Sequence, residues 1–174
     1  MMNLLVTGFG PFRDITDNPS AQLASGLPGE TAILTVQYGH VESFARSLRL
    51  RDESTILCLG LNARATELKF ELYAHNQIGA ERGFGSRVHS RTIIRPSGPK
   101  TLGQTLLDPK QLASLEMSTS YTPGDYLCNF LLYSLLVRYP AKRIGFVHVP
   151  HFDNVPKESQ MKALEKLLTL VGQS

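Results

Sequence analysis

The sequence predicts an α/β fold: an open, mostly parallel twisted sheet with helices on both faces, an α/β/α sandwich. Three observations carry this expectation. Short runs rich in β-forming residues recur at 3–8, 31–38, 54–59 and 143–149. Segments with helical spacing separate them, and several of the strand runs are almost wholly apolar, as strands covered on both faces must be. In such a sheet ligands collect beyond the carboxyl ends of the strands.

Residues 3–8 form the first strand, and Gly8-Phe9-Gly10-Pro11-Phe12 breaks it into an aromatic loop reaching Asn18. Asn18 before Pro19 is an N-cap followed by proline at the first helical position, so 19–25 is a helix with Gly26 as its stop. Residues 31–38 read as a strand, 42–50 as a helix and 54–59 as a buried strand. From 67 to 74 the chain alternates, Leu68, Phe70 and Leu72 facing one way and Glu67, Lys69, Glu71 and Tyr73 the other. The stretch 79–105 is rich in glycine, proline and arginine, with only 88–95 strand-like. Asp108-Pro109 caps a helix to about Leu115, and a strongly apolar helix follows Pro123-Gly124. Residues 143–149 make a last strand, and 157–171 close the chain as an amphipathic helix with Met161, Leu164, Leu167 and Leu168 on one side.

A length of 174 residues accommodates one domain, 1–174, with a real core. Hydrophobic residues at 42% and charged residues at 19% exclude a disordered or collagen-like chain. A net charge of +3 is too small to argue for nucleic acid. Two cysteines make no disulfide framework, no apolar run approaches a membrane span, and Leu4-Leu5-Val6 is too short for a signal peptide. A cytoplasmic protein is expected, in which a cysteine is free to act as a nucleophile.

Cys128 stands near the start of the apolar helix, where free N–H groups and the helix dipole stabilise a thiolate. The pattern alone also admits a buried core cysteine there; Cys58, inside Ile56-Leu57-Cys58-Leu59, reads as inert filler. A cysteine nucleophile needs a base. His148 ends an apolar strand on the same parity as Ile144 and Phe146, facing the ligand crevice. His148, His151 and Asp153 make only a weak metal pattern, so no metal or other cofactor is expected. His40, His75 and His89 read as surface residues. Glu71 is a candidate to orient the imidazole, although the alternation by itself makes it a solvated carboxylate beside Lys69.

Val6-Thr7-Gly8-Phe9-Gly10-Pro11-Phe12 with Asn18-Pro19-Ser20, Glu71-Leu72-Tyr73-Ala74-His75-Asn76, Gly124-Asp125-Tyr126-Leu127-Cys128-Asn129 and Gly145-Phe146-Val147-His148-Val149-Pro150 follow one another in the order seen in pyroglutamyl peptidase I. The chain resembles that family, the pyrrolidone-carboxylate peptidases, over nearly its whole length. The resemblance implies a cytoplasmic, metal-free cysteine peptidase that removes an amino-terminal pyroglutamyl residue from a peptide or small amide, and it suggests self-association. It implies Cys128 as nucleophile, His148 as base and Glu71 as orienting acid, with Phe9 and Phe12 as aromatic walls for the lactam ring and Asn18 beside it.

Gly60-Leu61-Asn62 stands where the family has Gly-Gln, and Ala80-Glu81-Arg82 where it has Asp-Ala-Arg. These differences keep open a divergent cysteine amidase with another amino-terminal substrate. Arg82, Arg87, Arg91, Arg95 and Lys100, with Phe84, keep open a non-catalytic polyanion- or nucleic-acid-binding domain. Gly8-Phe9-Gly10 lacks the third glycine of a dinucleotide fingerprint.

Overall fold

The computed structural model describes residues 3–79 and 92–173. Its elements, in chain order, are β1 (Asn3–Phe9), α1 (Pro19–Gly26), β2 (Glu30–Leu34), α2 (Tyr38–Ser47), β3 (Ser54–Leu61), β4 (Lys69–Glu71), β5 (Tyr73–His75), β6 (Thr101–Gly103), α3 (Pro109–Ala113), β7 (Ser118–Ser120), α4 (Leu127–Arg138), β8 (Arg143–Val149) and α5 (Lys157–Val171). Six strands form one sheet in the order β2-β1-β3-β8-β4-β7, and β5 pairs with β6 separately. The β2-β1-β3-β8 pairings are parallel and β4 runs antiparallel to β8. The expected mostly parallel α/β sandwich is therefore present.

Alternation along the strands divides the core into two layers. Leu4, Val6, Leu57, Leu59, Val147 and Val149 meet α1 and α5 on one face. Phe9, Ile56, Cys58, Ile144 and Phe146 meet α2 and α4 on the other. Each fully buried leucine or phenylalanine adds about 1.5–3 kcal/mol relative to an exposed one. This explains why α4 is apolar on nearly every side: the sheet covers one flank, and α2 with the β5–β6 hairpin covers the others.

Local chemistry sets the helix starts. Asn18 caps α1, its Oδ1 accepting from the Ser20 amide at 3.0 Å, with Pro19 next in line. Asp108 and Gln111 form a reciprocal capping box on α3. Gly8 lets α1 lie directly on β1, since a Cβ there would fall 2.4 Å from the Ser20 carbonyl oxygen.

Three stretches differ from the sequence expectation. The run 31–38 is strand only to Leu34, because a turn closes from the Gln37 amide to the Thr35 carbonyl; Tyr38 then opens α2 and packs its ring on Phe130. Packing overrides β propensity there. The alternating run 67–74 is two short strands. At Leu72 the amide donates to Ser120 while the carbonyl accepts from Gln104, so the chain changes sheets at that residue. The polar edge strand β7 has no apolar pattern and no counterpart in the sequence reading. Of the strand-like 88–95 segment, Thr92 bridges Ile78, and the remainder up to residue 91 lies outside the described residues.

Candidate active site

The parallel register brings three strand ends together. Thr7, Cys58 and Phe146 stand side by side across β1, β3 and β8, and one step further Gly60 stands beside His148. This row lies on the α4 face, at the carboxyl edge of the sheet. Strand order reverses direction around β1 and β3, which is where an α/β sheet opens a crevice.

His148 reaches Glu71 through Nδ1, 2.7 Å from Oε1. Glu71 is not the solvated carboxylate that its alternating segment suggests; it is 2% exposed, facing away from Phe70 and towards His148. A buried carboxylate is tolerable only with such a partner. With Nδ1 engaged by Glu71, the ring's Nε2 is the nitrogen left for the hydrogen bond to the side chain of Cys128. Burial, the largest single influence, pushes the His148 pKa down. Cys128, by charge and hydrogen bond, and Glu71, by hydrogen bond and charge, together outweigh it and raise the value from 6.5 to about 10. The imidazole is therefore cationic at neutral pH and faces the sulfur.

Cys128 is the second residue of α4, half-buried. The amide N–H groups of Leu127, Cys128 and Asn129 have no acceptor among the described residues, the first helical bond running from the Phe130 amide to the Tyr126 carbonyl. Three donors thus surround the sulfur's end of the helix, where they can stabilise an anion. Cys58 differs in every respect: it is fully buried and its thiol is pushed up to about 12, chiefly by burial. It stays a protonated filler.

Gly60 makes the sulfur's position possible. A Cβ on it would lie 2.7 Å from the Cys128 sulfur and 2.7 Å from the Phe146 ring. Gly60→Ala is accordingly expected to displace the sulfur and lower kcat about 100-fold, the order of loss that follows a 1 Å misplacement. Steady-state kinetics beside a thermal unfolding curve checks this; an unchanged kcat in a folded variant would show that the contact is not critical.

The other expected site residues fall in different places. Phe9 is buried, 4% exposed, in the core with Leu34, Val41 and Phe146. Phe12 is half-buried, with its ring 6.0 Å from that of Tyr126 and the Arg13 guanidinium 4.8 Å from its centre. Tyr126 also meets Tyr38 edge-on at 5.6 Å. Asn18 is buried, its Nδ2 donating to the Gly10 carbonyl at 3.0 Å and its Oδ1 accepting from Ser20. It ties the loop after β1 to α1. Sequence reasoning missed Tyr38, Tyr126 and Gly60; a glycine inside an otherwise apolar strand was the available signal for the last.

His151 pairs with Asp153 at 3.1 Å, and no metal-binding group of three ligands exists among the described residues. His75 is half-buried and bonded through its ring to Thr101 and the Tyr121 carbonyl. Arg82, Arg87, Arg91, Phe84, His89 and Ala80-Glu81-Arg82 lie outside the described residues.

A thiol at a helix start, a cationic imidazole against it and a buried carboxylate behind that imidazole define a site of the cysteine-hydrolase class. No family model matches the chain. It is 27% identical over 184 residues to the pyrrolidone-carboxylate peptidase of Bacillus subtilis (strain 168), covering 94% of this chain and 84% of the relative. It is 28% identical over 167 residues to that of Enterococcus faecalis (strain ATCC 700802 / V583), covering 86% and 78%. Among solved structures, the pyrrolidone carboxyl peptidase from Thermus thermophilus superposes with a TM-score of 0.77 at 28% identity, over 95% of this chain and 98% of that one. The Thermococcus litoralis enzyme, at 21% identity and a TM-score of 0.82 over 98% and 93%, shares the fold. These likenesses support the pyrrolidone-carboxylate peptidase family for this chain.

Proposed function

We propose that the protein is a cysteine exopeptidase that hydrolyses the amide bond following an amino-terminal pyroglutamyl residue, with Cys128, His148 and Glu71 as its catalytic groups. The observation that carries this reading is His148 held between Glu71 and Cys128 at the edge of the sheet, in a chain whose relatives bear the name pyrrolidone-carboxylate peptidase.

In the first half-reaction the Cys128 sulfur attacks the pyroglutamyl carbonyl carbon, and the carbonyl oxygen takes up the negative charge. The free amides at the start of α4 are the donors available to that oxygen. His148 gives its proton to the departing amine nitrogen as the C–N bond breaks, leaving a thioester. Water then adds to the thioester while His148 takes a proton from it; the C–S bond breaks, pyroglutamate leaves, and the sulfur and imidazolium are restored. Glu71 holds the ring by Nδ1 throughout.

The half-buried ring of Phe12, beside Tyr126, suits a flat uncharged lactam. Phe9 supports this region from within the core, and Asn18 shapes the loop that carries Phe12. The substrate is a peptide or small amide with a cyclised amino terminus. No helix of the described residues is long and apolar enough to cross a membrane, and two free cysteines suit the reducing cytoplasm.

The test is release of a coumarin amine from pyroglutamyl, prolyl and glutamyl amides by the wild-type protein. Preference for the pyroglutamyl compound by about 100-fold or more is expected, because the aromatic surface at Phe12 and Tyr126 suits a flat uncharged ring, whereas the prolyl and glutamyl amides bring a charged amino group to it. Equal or greater turnover of the prolyl or glutamyl amide would reassign the substrate.

A further inference from the structure

Asn129, the residue after the nucleophile, is fully buried, and its side chain spends every hydrogen bond on one stretch of backbone. Its Oδ1 accepts from the His75 amide at 2.8 Å, while Nδ2 donates to the His75 carbonyl at 2.8 Å and to the Gln77 carbonyl at 2.9 Å. A second stitch lies on the other side of Cys128. The Gly79 amide donates to the Asp125 carbonyl at 2.6 Å, so closely packed that a Cβ on Gly79 would collide with the Asp125 carboxylate. Residues 75–79 are thus fastened to the chain both before and after the nucleophile.

The same stretch leads back to the catalytic acid. Glu71 ends β4, Leu72 follows, and β5 runs directly to His75. A closed ring results: Cys128 meets His148, His148 meets Glu71, the chain runs four residues to His75, and Asn129 returns the path to Cys128. The clamp ties the sulfur's helix to the strand segment that follows the carboxylate by a route independent of the side-chain contacts through His148. A buried amide with three backbone bonds is a much stiffer link, because breaking it leaves His75 and Gln77 groups unsatisfied in the interior.

We infer that Asn129 is a positioning residue for the reaction: by clamping residues 75–77 it fixes the first turn of α4, and with it Cys128, relative to the strand that carries Glu71. This rests on the catalytic reading of the site given above. Asn129 is fully buried with its polar atoms spent on the 75–77 backbone, and it acts through the sulfur and the helix-start amides, so its loss affects turnover and not binding.

The experiment compares wild type with Asn129→Ala and the milder Asn129→Ser, which keeps one donor and one acceptor. Three quantities are measured: kcat and KM on a pyroglutamyl coumarin amide, the rate of Cys128 alkylation by iodoacetamide at pH 7, and the midpoint of thermal unfolding. The alanine variant should lose about 100-fold in kcat with KM within about twofold of wild type, and alkylate more slowly; serine should fall between. If the folded variants keep wild-type kcat and alkylation rate, Asn129 serves stability alone and the inference fails. A raised KM with unchanged kcat would overturn it too, making Asn129 a binding contact. Should the alanine variant not fold, the serine variant decides by the same criteria. If wild type cleaves no pyroglutamyl amide, the substrate assignment falls, and the alkylation rates still decide the role of Asn129.

Discussion

Cys128→Ala is expected to abolish hydrolysis of a pyroglutamyl amide, with a loss on the order of 10⁴-fold or more, because it removes the sulfur on which the proposed acyl intermediate forms. The only other described thiol, Cys58, is fully buried and held protonated by that burial, so it offers no substitute. The fold should survive the change. Cys128 is only half-buried, and the packing of α4 rests on Leu127, Phe130, Leu131 and Leu135. Removing the sulfur opens a small gap over Gly60 and leaves the helix in place. The measurement is the release of fluorophore per folded protein, with thermal unfolding followed on the same sample. Cys128→Ser should be nearly as inactive, since a hydroxyl is far harder to ionise against the same imidazolium than a thiol. Retention of wild-type turnover by the alanine variant would remove Cys128 from the mechanism.

The sandwich was legible in the sequence because its strands are buried on both faces and its helices sit between them. Residues 3–8, 54–59 and 143–149 carried that signal with few polar interruptions, and each makes up most or all of a strand. Elements without an apolar pattern were not legible. β7 is Ser-Thr-Ser at a sheet edge, and its only demand is backbone pairing with β4. The division of 67–74 at Leu72 depends on distant partners along the chain, Ser120 and Gln104, which no local window contains.

For the site, position within an element was readable while enclosure was not. Cys128 at a helix start and His148 at a strand end follow from punctuation and parity. The burial of Glu71 does not, because alternation in a half-buried strand assigns the polar side to water. The side chain escapes that rule only because β4 lies beside β8 and presents that face to His148. Asn129 was equally hidden: an asparagine in a first helical turn is unremarkable until its three backbone partners in 75–77 are seen.

Glu71→Gln should produce the second large effect, a fall in kcat on the order of 10³–10⁴-fold, by disturbing the histidine without touching the sulfur. In the native site the carboxylate can only accept, so Nδ1 carries a hydrogen and His148 binds a second proton on Nε2 towards Cys128. A glutamine amide supplies no charge to support the imidazolium, and if its NH₂ faces Nδ1 the ring is held in the opposite tautomer. A pH signature separates this from general damage. His148 binds its proton more tightly in the folded chain than at the ordinary histidine value, so its contribution to stability is complete below about pH 6.5 and is lost as pH rises through about 10. Taking away Glu71's hydrogen bond and charge lowers that upper limit. The alkaline limb of kcat/KM, and the alkaline fall in unfolding free energy, should both move to lower pH in Glu71→Gln than in wild type. A slowed variant whose alkaline limb and stability profile coincide with those of wild type would mean that the carboxylate does not support the charge on His148, and its contact at 2.7 Å would need another explanation.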